Sequence, residues 1–455
     1  MLSKSAITKM QAIIIVVIII IAISSGICYY NTLPSDSKAI ELTVFNISYQ
    51  SDWLKQKVES EWNAKHPDIQ VTYLPLADYY TETVSVLTST PDRVDIVRTN
   101  PGYMAPWADA GWITNIDGLE GFNDTLSKVE PSRRFELLYN GKHYGLPAYT
   151  GYMAILLYNE RYLQQAGFDH PPETLDELIQ QCLAIKNQGI TEYPMAWHLK
   201  GSERRIDWAW YEFALLKGGE TLYDDNWNPT YLDPNSSGYE SLQFIIDCIH
   251  EHKIMDPAAV EWDTFKVVDM LMKGDCVFVP ADPYHLPNVN DPETSAEAGN
   301  IKLTLMPESH QTWVKTDQFS ITKACRNKGT DYYEAAWKFL KWFCGPEKDS
   351  LTYTYAHETL TMHSCYTSLN NDTMLCATWS QYMNISLINE QARLARSLQD
   401  FSPIHKTKFY LPWVNDYLIP NLQAAILLTK SVDDALQDVN KGFDILAKEY
   451  GLPER

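Results

Sequence analysis

Several chemical signatures are missing from this 455-residue sequence. No GxGxxG opens a dinucleotide site, no GxxxxGK cradles a nucleotide phosphate, and no GxSxG sets a nucleophile on a strand-to-helix elbow. No CxxC or Cys/His spacing of a zinc site occurs. "HETLTMH", from His357, spaces its histidines at i+6 rather than i+4, so they do not share a helical face. "DDNWNPTYLDPN", from Asp224, alternates oxygen ligands as a calcium loop does. It has Pro229 in place of the turn glycine and Asn235 in place of the bidentate glutamate, which favours a surface hairpin. Neither a metal nor a cofactor is expected. Positive charge is scarce: 37 Lys and Arg face 58 Asp and Glu, for a net charge of −21. Repulsion then argues against nucleic acid or an anionic membrane surface as partner, and an uncharged or cationic ligand suits the chain better. No pair among the acids announces a glycosidase by its position.

Cysteine is also sparse, at eight. Cys28 belongs to a distinctive leader in which Lys4 and Lys9 precede "AIIIVVIIIIAI", an uncharged block from Ala12 to Ile23 that continues weakly to Tyr30. This fits a bacterial secretory signal or an uncleaved transmembrane anchor, with the lysines left in the cytoplasm and the rest exported. "SSGIC" also puts Cys28 where a lipoprotein carries its lipid, although Ile27 stands where a small residue is usual, so both forms of membrane attachment stay open. Seven cysteines remain, an odd number. Cys182 and Cys248 fall on apolar helical faces and Cys276 in a strand pattern, as small buried hydrophobes do. Cys365 and Cys376 flank a polar stretch, and a bridge between them is left open.

What is present is globular: 45% hydrophobic and 21% charged residues, in a chain too long for one core and suited to two lobes. "LTVFNIS" alternates as a strand, "WLKQKVESEWNAKHP" carries Leu54, Val58 and Trp62 on one helical stripe, and "IQVTYLP" and "RVDIVRT" are further strands around a second helix. This βαβαβ order predicts a parallel, doubly wound sheet with its ligand crevice beyond the carboxyl ends of the strands. A helix over "PPETLDELIQQCLAIKNQG" has a capping box, Thr174 with Glu177, and stops at Gly189. Strand character recurs at "CVFVP", "NIKLTLMP" and "DQFSITKA". The last hundred residues read as helical and close with a helix capped by Ser431. "HYGLPAYTGYMAILLYN", from His143, reads as two extended segments broken at Thr150 and Gly151.

An ordered series of segments gives these patterns a joint meaning: "HPDIQVTYLP", "DIVRT", "WADAGWITNID", "KHYGLPAYTGYMAILLYNERYLQQAGFDHPPETLDEL", "MLMKGDCVFVPADPYHL", "NIKLTLMP" and "DQFSITKACRNKGTDYYEAAWKFLKWF". From Ala39 onward the chain resembles the extracellular solute-binding proteins of ABC importers, in the sugar-binding class. The resemblance implies an α/β, two-lobe periplasmic-binding-protein fold of type II with discontinuous lobes. Residues 1–38 are leader and linker, 39–148 with 305–348 the first lobe, and 149–304 with 349–455 the second. It implies crossings between lobes near Pro147 to Tyr152, near Thr304 to Pro307 and after "FLKWF", with Thr150 and Gly151 as hinge.

The same resemblance implies ligand contacts at Ser48, Tyr49 and Gln50, at Thr99, Asn100 and Tyr103, and at Tyr152. It adds Asp207, Trp208 and Trp210, then Asp282, Tyr284 and His285, then Asp317, Gln318 and Trp413. Asp95 reads as structural. Its implied partners are a small solute and the permease subunits of a transporter. The protein is then a monomer held at the outer face of the bacterial cytoplasmic membrane, without catalysis. Tryptophan and tyrosine suit the apolar face of a sugar, and Asp, Asn and Gln suit its hydroxyl rim. A surface enzyme acting on glycans, and the same fold holding a polyamine or peptide, are the alternatives.

Overall fold

Ile40–Ile47 buries Leu42, Val44 and Phe45, and its residues pair in parallel with Ile69–Leu76 along their whole length, from Ile40 opposite Ile69 to Ile47 opposite Leu76. These strands, β1 and β2, belong to a computed structural model that describes residues 39–48, 51–203, 205–358, 364–381 and 384–452. The leader with Cys28, and both Tyr49 and Gln50, lie outside the described residues. Among those described, no helix is long and apolar enough to cross a membrane.

The third strand, β3 (Ile96–Thr99), lies parallel to β1 on its other side, so the βαβαβ unit forms as the sequence pattern requires. A small hairpin, β4 (Leu138–Tyr139) with β5 (Lys142–His143), precedes β6 (Leu146–Met153) and β7 (Ile155–Asn159). β7 is the centre of a second sheet, antiparallel to both β8 (Phe278–Ala281) and β9 (Ile301–Thr304). β10 (Thr312–Ile321) returns to the first sheet, antiparallel to β3 and to β6, and β11 (Ala395–Ser397) adds to it in parallel. The first sheet therefore runs β2-β1-β3-β10-β11, with β6 also on β10.

The long strand β10 ties two cores together. Trp313 packs in one with Trp210 and Trp413, while Phe319 and Ile321 pack in another with Leu42 and Val44. Ten residues of strand reach about 33 Å, enough to serve both. β10 starts earlier than "DQFSITKA" suggests, and β11 interrupts the C-terminal stretch read as wholly helical, since three residues show no period of their own.

The expected break at Thr150 and Gly151 is not a break. β6 runs through both, with Gly151 opposite Thr316, and the interruption falls at Ala154 before β7 begins. A glycine inside a strand often marks an irregularity. Here the irregularity sits on the partner strand, where the register shifts between Thr316 and Gln318.

Local chemistry places the caps as expected. Thr174 Oγ1 accepts from the Glu177 amide at 3.1 Å, and Ser431 Oγ from the Asp434 amide at 3.1 Å. Tyr223 bridges Pro229 and Asp224 accepts from the Asn226 and Asn228 amides, so this stretch is a hairpin closed by an Asx turn. Asp95 is buried and accepts from the Thr43 amide and Lys328, a structural role. Cys182, Cys248 and Cys276 are buried, and Cys365 and Cys376 are both free thiols, with Cys376 donating to the Asn370 carbonyl.

Candidate functional site

β1 and β3 deliver their carboxyl ends to one side of the first sheet, where Ile47 and Asn100 help line a cavity of about 510 Å³. Three helices begin on its wall: Tyr79–Ser89, Pro101–Asp109 and Arg205–Leu216. Asn100 caps the second of these, accepting from the Gly102 amide at 2.9 Å, and donates to the Tyr80 hydroxyl at 2.7 Å. That fixes Tyr80 against Tyr103, their rings parallel within 3° and 3.8 Å apart. Gly102 allows Tyr410 to approach, since a Cβ there would stand 2.7 Å from the Tyr410 ring. The His405 ring lies tilted by 36° against that of Tyr410, their centroids 3.9 Å apart.

The cavity lining also carries charge. Arg98, 4% exposed, pairs with Asp317, 6% exposed, and also donates to Asn46 at 3.3 Å. Lys315 lies 3.6 Å from the same carboxylate. Burial pushes the Asp317 carboxyl up, but the charges of Arg98 and Lys315 more than offset that and hold it below its ordinary range. Trp208 packs edge-on against Trp313, and its ring has the Arg205 guanidinium 4.2 Å and Lys315 Nζ 4.9 Å from its centroid. A neighbouring cavity of about 470 Å³, lined by Lys200, Glu261 and Gln423, shares Ser202 and Asn415 with the first and so extends it.

Of the expected contacts, Asn100, Tyr103, Trp208 and Asp317 meet at this cavity. Others belong elsewhere. Trp413 is fully buried, with its indole N–H donating to the Val439 carbonyl at 3.3 Å, and Trp210 is fully buried, donating to Gly238 at 2.7 Å. Both are core residues. Gln318 is fully buried and donates to the Glu136 carbonyl, and Thr99 shares a hydrogen bond with Ser320 across β3 and β10. Asp207 is fully buried and does not line the cavity, and Ser48 is exposed outside it. Tyr284 packs on the core of the first sheet and on His285, itself 3% exposed. Tyr152 is described only as backbone, opposite Lys315 on β10. Sequence reasoning missed Tyr80, Arg98, Arg205, Lys315 and Tyr410. A charge inside an apolar strand was the available signal for Arg98 in "DIVRT" and Lys315 in "WVKTD".

Asp282 does not line the cavity; it accepts from the Met153 amide at 2.8 Å, pinning the end of β6. Burial pushes its carboxyl up to about 7, against the pull of the Met153 amide and of Arg133, Lys315 and Arg205. The folded protein therefore keeps this proton to higher pH than the unfolded chain. The stability it contributes is complete below the unfolded value of 3.8 and is lost as pH rises through about 7. Asp282→Asn keeps an acceptor for Met153 and removes the titration. Its melting temperature is expected to exceed that of the unaltered protein above neutrality and to fall less between acid and neutral pH, and thermal melts at several pH values check this.

The sequence profile of the bacterial extracellular solute-binding protein family matches residues 48–349. The maltotriose-binding protein of Pyrococcus abyssi (strain GE5 / Orsay) is 23% identical over 296 residues, 63% of this chain and 58% of that protein. The match thus spans less than two thirds of that relative. Maltose-bound MalE3 of T. maritima superposes with a TM-score of 0.73 at 18% identity, over 90% of this chain and 100% of the other. The cyclic alpha-maltosyl-1,6-maltose binding protein of Arthrobacter globiformis gives 0.70 at 21% identity, over 90% and 100%. Identities this low establish the fold, the two-lobe α/β binding architecture.

Proposed function

The chain belongs to the bacterial extracellular solute-binding proteins, and from that premise we propose that it is the capture component of an ABC importer. It holds an extracellular carbohydrate, an oligosaccharide, between two lobes that close around it, and delivers it to a membrane permease. The observation that carries this reading is the cavity itself: the stacked Tyr80 and Tyr103 and the indole of Trp208 line one space together with Asn100, Asp317 and Ser202. Aromatic faces suit pyranose rings, and the polar groups suit hydroxyls that must be paired once desolvated. The adjoining chamber gives room for more than one sugar unit. Of the similar proteins named above, one carries maltose and the other two are named for maltotriose and cyclic alpha-maltosyl-1,6-maltose, which supports the same class.

The lobes are residues 39–148 with 305–348 and 149–304 with 349–455. The paired β6 and β10, with their register shift opposite Gly151, form the flexing element. Residues 12–30, or a lipid on Cys28, hold the protein at the outer membrane face, and mass spectrometry of the mature N-terminus distinguishes the two. Calorimetric titration with a panel of oligosaccharides tests the function. A micromolar Kd, about −8 kcal/mol, is expected for at least one. Silence across the whole panel, or turnover of a labelled oligosaccharide, contradicts it.

A further inference from the structure

We propose that the carbohydrate this cleft takes is acidic, with its anionic group held by Arg205 and Lys315 beside Trp208. The inference rests on the carbohydrate-binding reading above and deepens it. Arg98, Arg205 and Lys315 all face the cavity, and the one buried carboxylate among its walls, Asp317, already serves both Arg98 and Lys315. Asp78 is at the exposed rim. Arg205 differs from the other two cations: among the described residues its side chain has no hydrogen-bonding partner or ion pair, its buried Nε included. It only lies over the Trp208 ring at 4.2 Å.

Among the described residues, its neighbours supply no full countercharge. Asp207 is two residues along the same helix and so faces another way. Burial pushes His285 down to about 3 and Asp282 up to about 7, so the first is uncharged and the second carries only part of a charge at neutral pH. The amino ends of the three helices that begin on the cavity wall add partial positive charge of about half a unit each. The chain as a whole is at −21, but beyond about 8 Å that charge is screened in physiological salt, whereas the cations of the cleft act at contact distance. A guanidinium left unpaired in a closing cleft calls for a planar anion, and a carboxylate meets its fork with two parallel hydrogen bonds.

The test titrates the full-length protein with trigalacturonate, its neutral methyl ester, maltotriose and neocarrabiose sulfate. The acid is expected to bind about tenfold or more tighter than its methyl ester, with an affinity that weakens as salt rises. Tighter binding of the sulfate than of trigalacturonate keeps the anionic class and changes the group from carboxylate to sulfate. Arg205→Gln is expected to erase most of the gap between acid and ester, and Arg205→Lys to restore part of it, which excludes simple misfolding as the cause. Equal binding of acid and ester, or a gap that survives Arg205→Gln, overturns the proposal while leaving the carbohydrate reading intact if maltotriose binds. No binding of any probe overturns both.

Discussion

Trp413→Ala is expected to lower stability by about 3–5 kcal/mol and to leave the ligand contacts in place, whereas Trp208→Ala is expected to do the reverse. Trp413 is wholly buried with Tyr223 and Val439 as neighbours, so truncation opens a large cavity in the core that holds Trp210 and Trp313. Trp208 is only partly buried, lines the cleft and seats both Arg205 and Lys315. Its loss removes an aromatic platform together with the packing that positions two cations, for about 2–3 kcal/mol, or on the order of 100-fold in Kd. Denaturant unfolding and calorimetric titration on both variants separate the effects. A Trp413→Ala protein with full stability and weakened binding would show that the cleft has been placed wrongly.

Asp317→Asn is expected to cost about 3–5 kcal/mol of stability, because it strands Arg98 in a site that is 4% exposed. The Asn46 side chain at 3.3 Å is a neutral acceptor and does not replace a carboxylate. Removing both charges, as in Arg98→Met with Asp317→Asn, is expected to recover much of the loss, since an uncompensated buried charge is worse than none. The pH dependence has the opposite sign from that of Asp282. Asp317 is held below its ordinary range when folded, so its contribution is present above the unfolded value and is lost as pH falls through the folded one. The variant therefore also loses part of the acid limb of the stability profile, which thermal melts in acid read directly. A single variant as stable as the parent would mean that Arg98 finds water or another partner.

How much of this was legible beforehand differs between residues for physical reasons. Thr174 and Ser431 act within one turn, so their caps follow from neighbours in sequence. The parallel β1, β2 and β3 follow from alternating apolar patterns joined by helices. Trp208 and Trp210 mark the limit. Two residues on a helix differ by about 200°, so one indole reaches the cleft and the other the core, and only the packed neighbours decide which. Tyr80 gave no signal at all, because it becomes a cleft wall only when Asn100 and Tyr103, about twenty positions away, hold its hydroxyl and ring.

By itself the sequence determined the two-lobe class, the parallel β1, β2 and β3 of the first sheet, the caps and a cluster of aromatic and amide residues after β3. Those rest on interactions a few residues long or on an ordered series of segments. The tertiary structure decided which tryptophans are core, that β6 is unbroken at Gly151, and that an acidic chain gathers Arg98, Arg205 and Lys315 around one cavity. Net charge sums over the whole chain, but a ligand feels the groups within a few ångströms, and those are brought together only by folding.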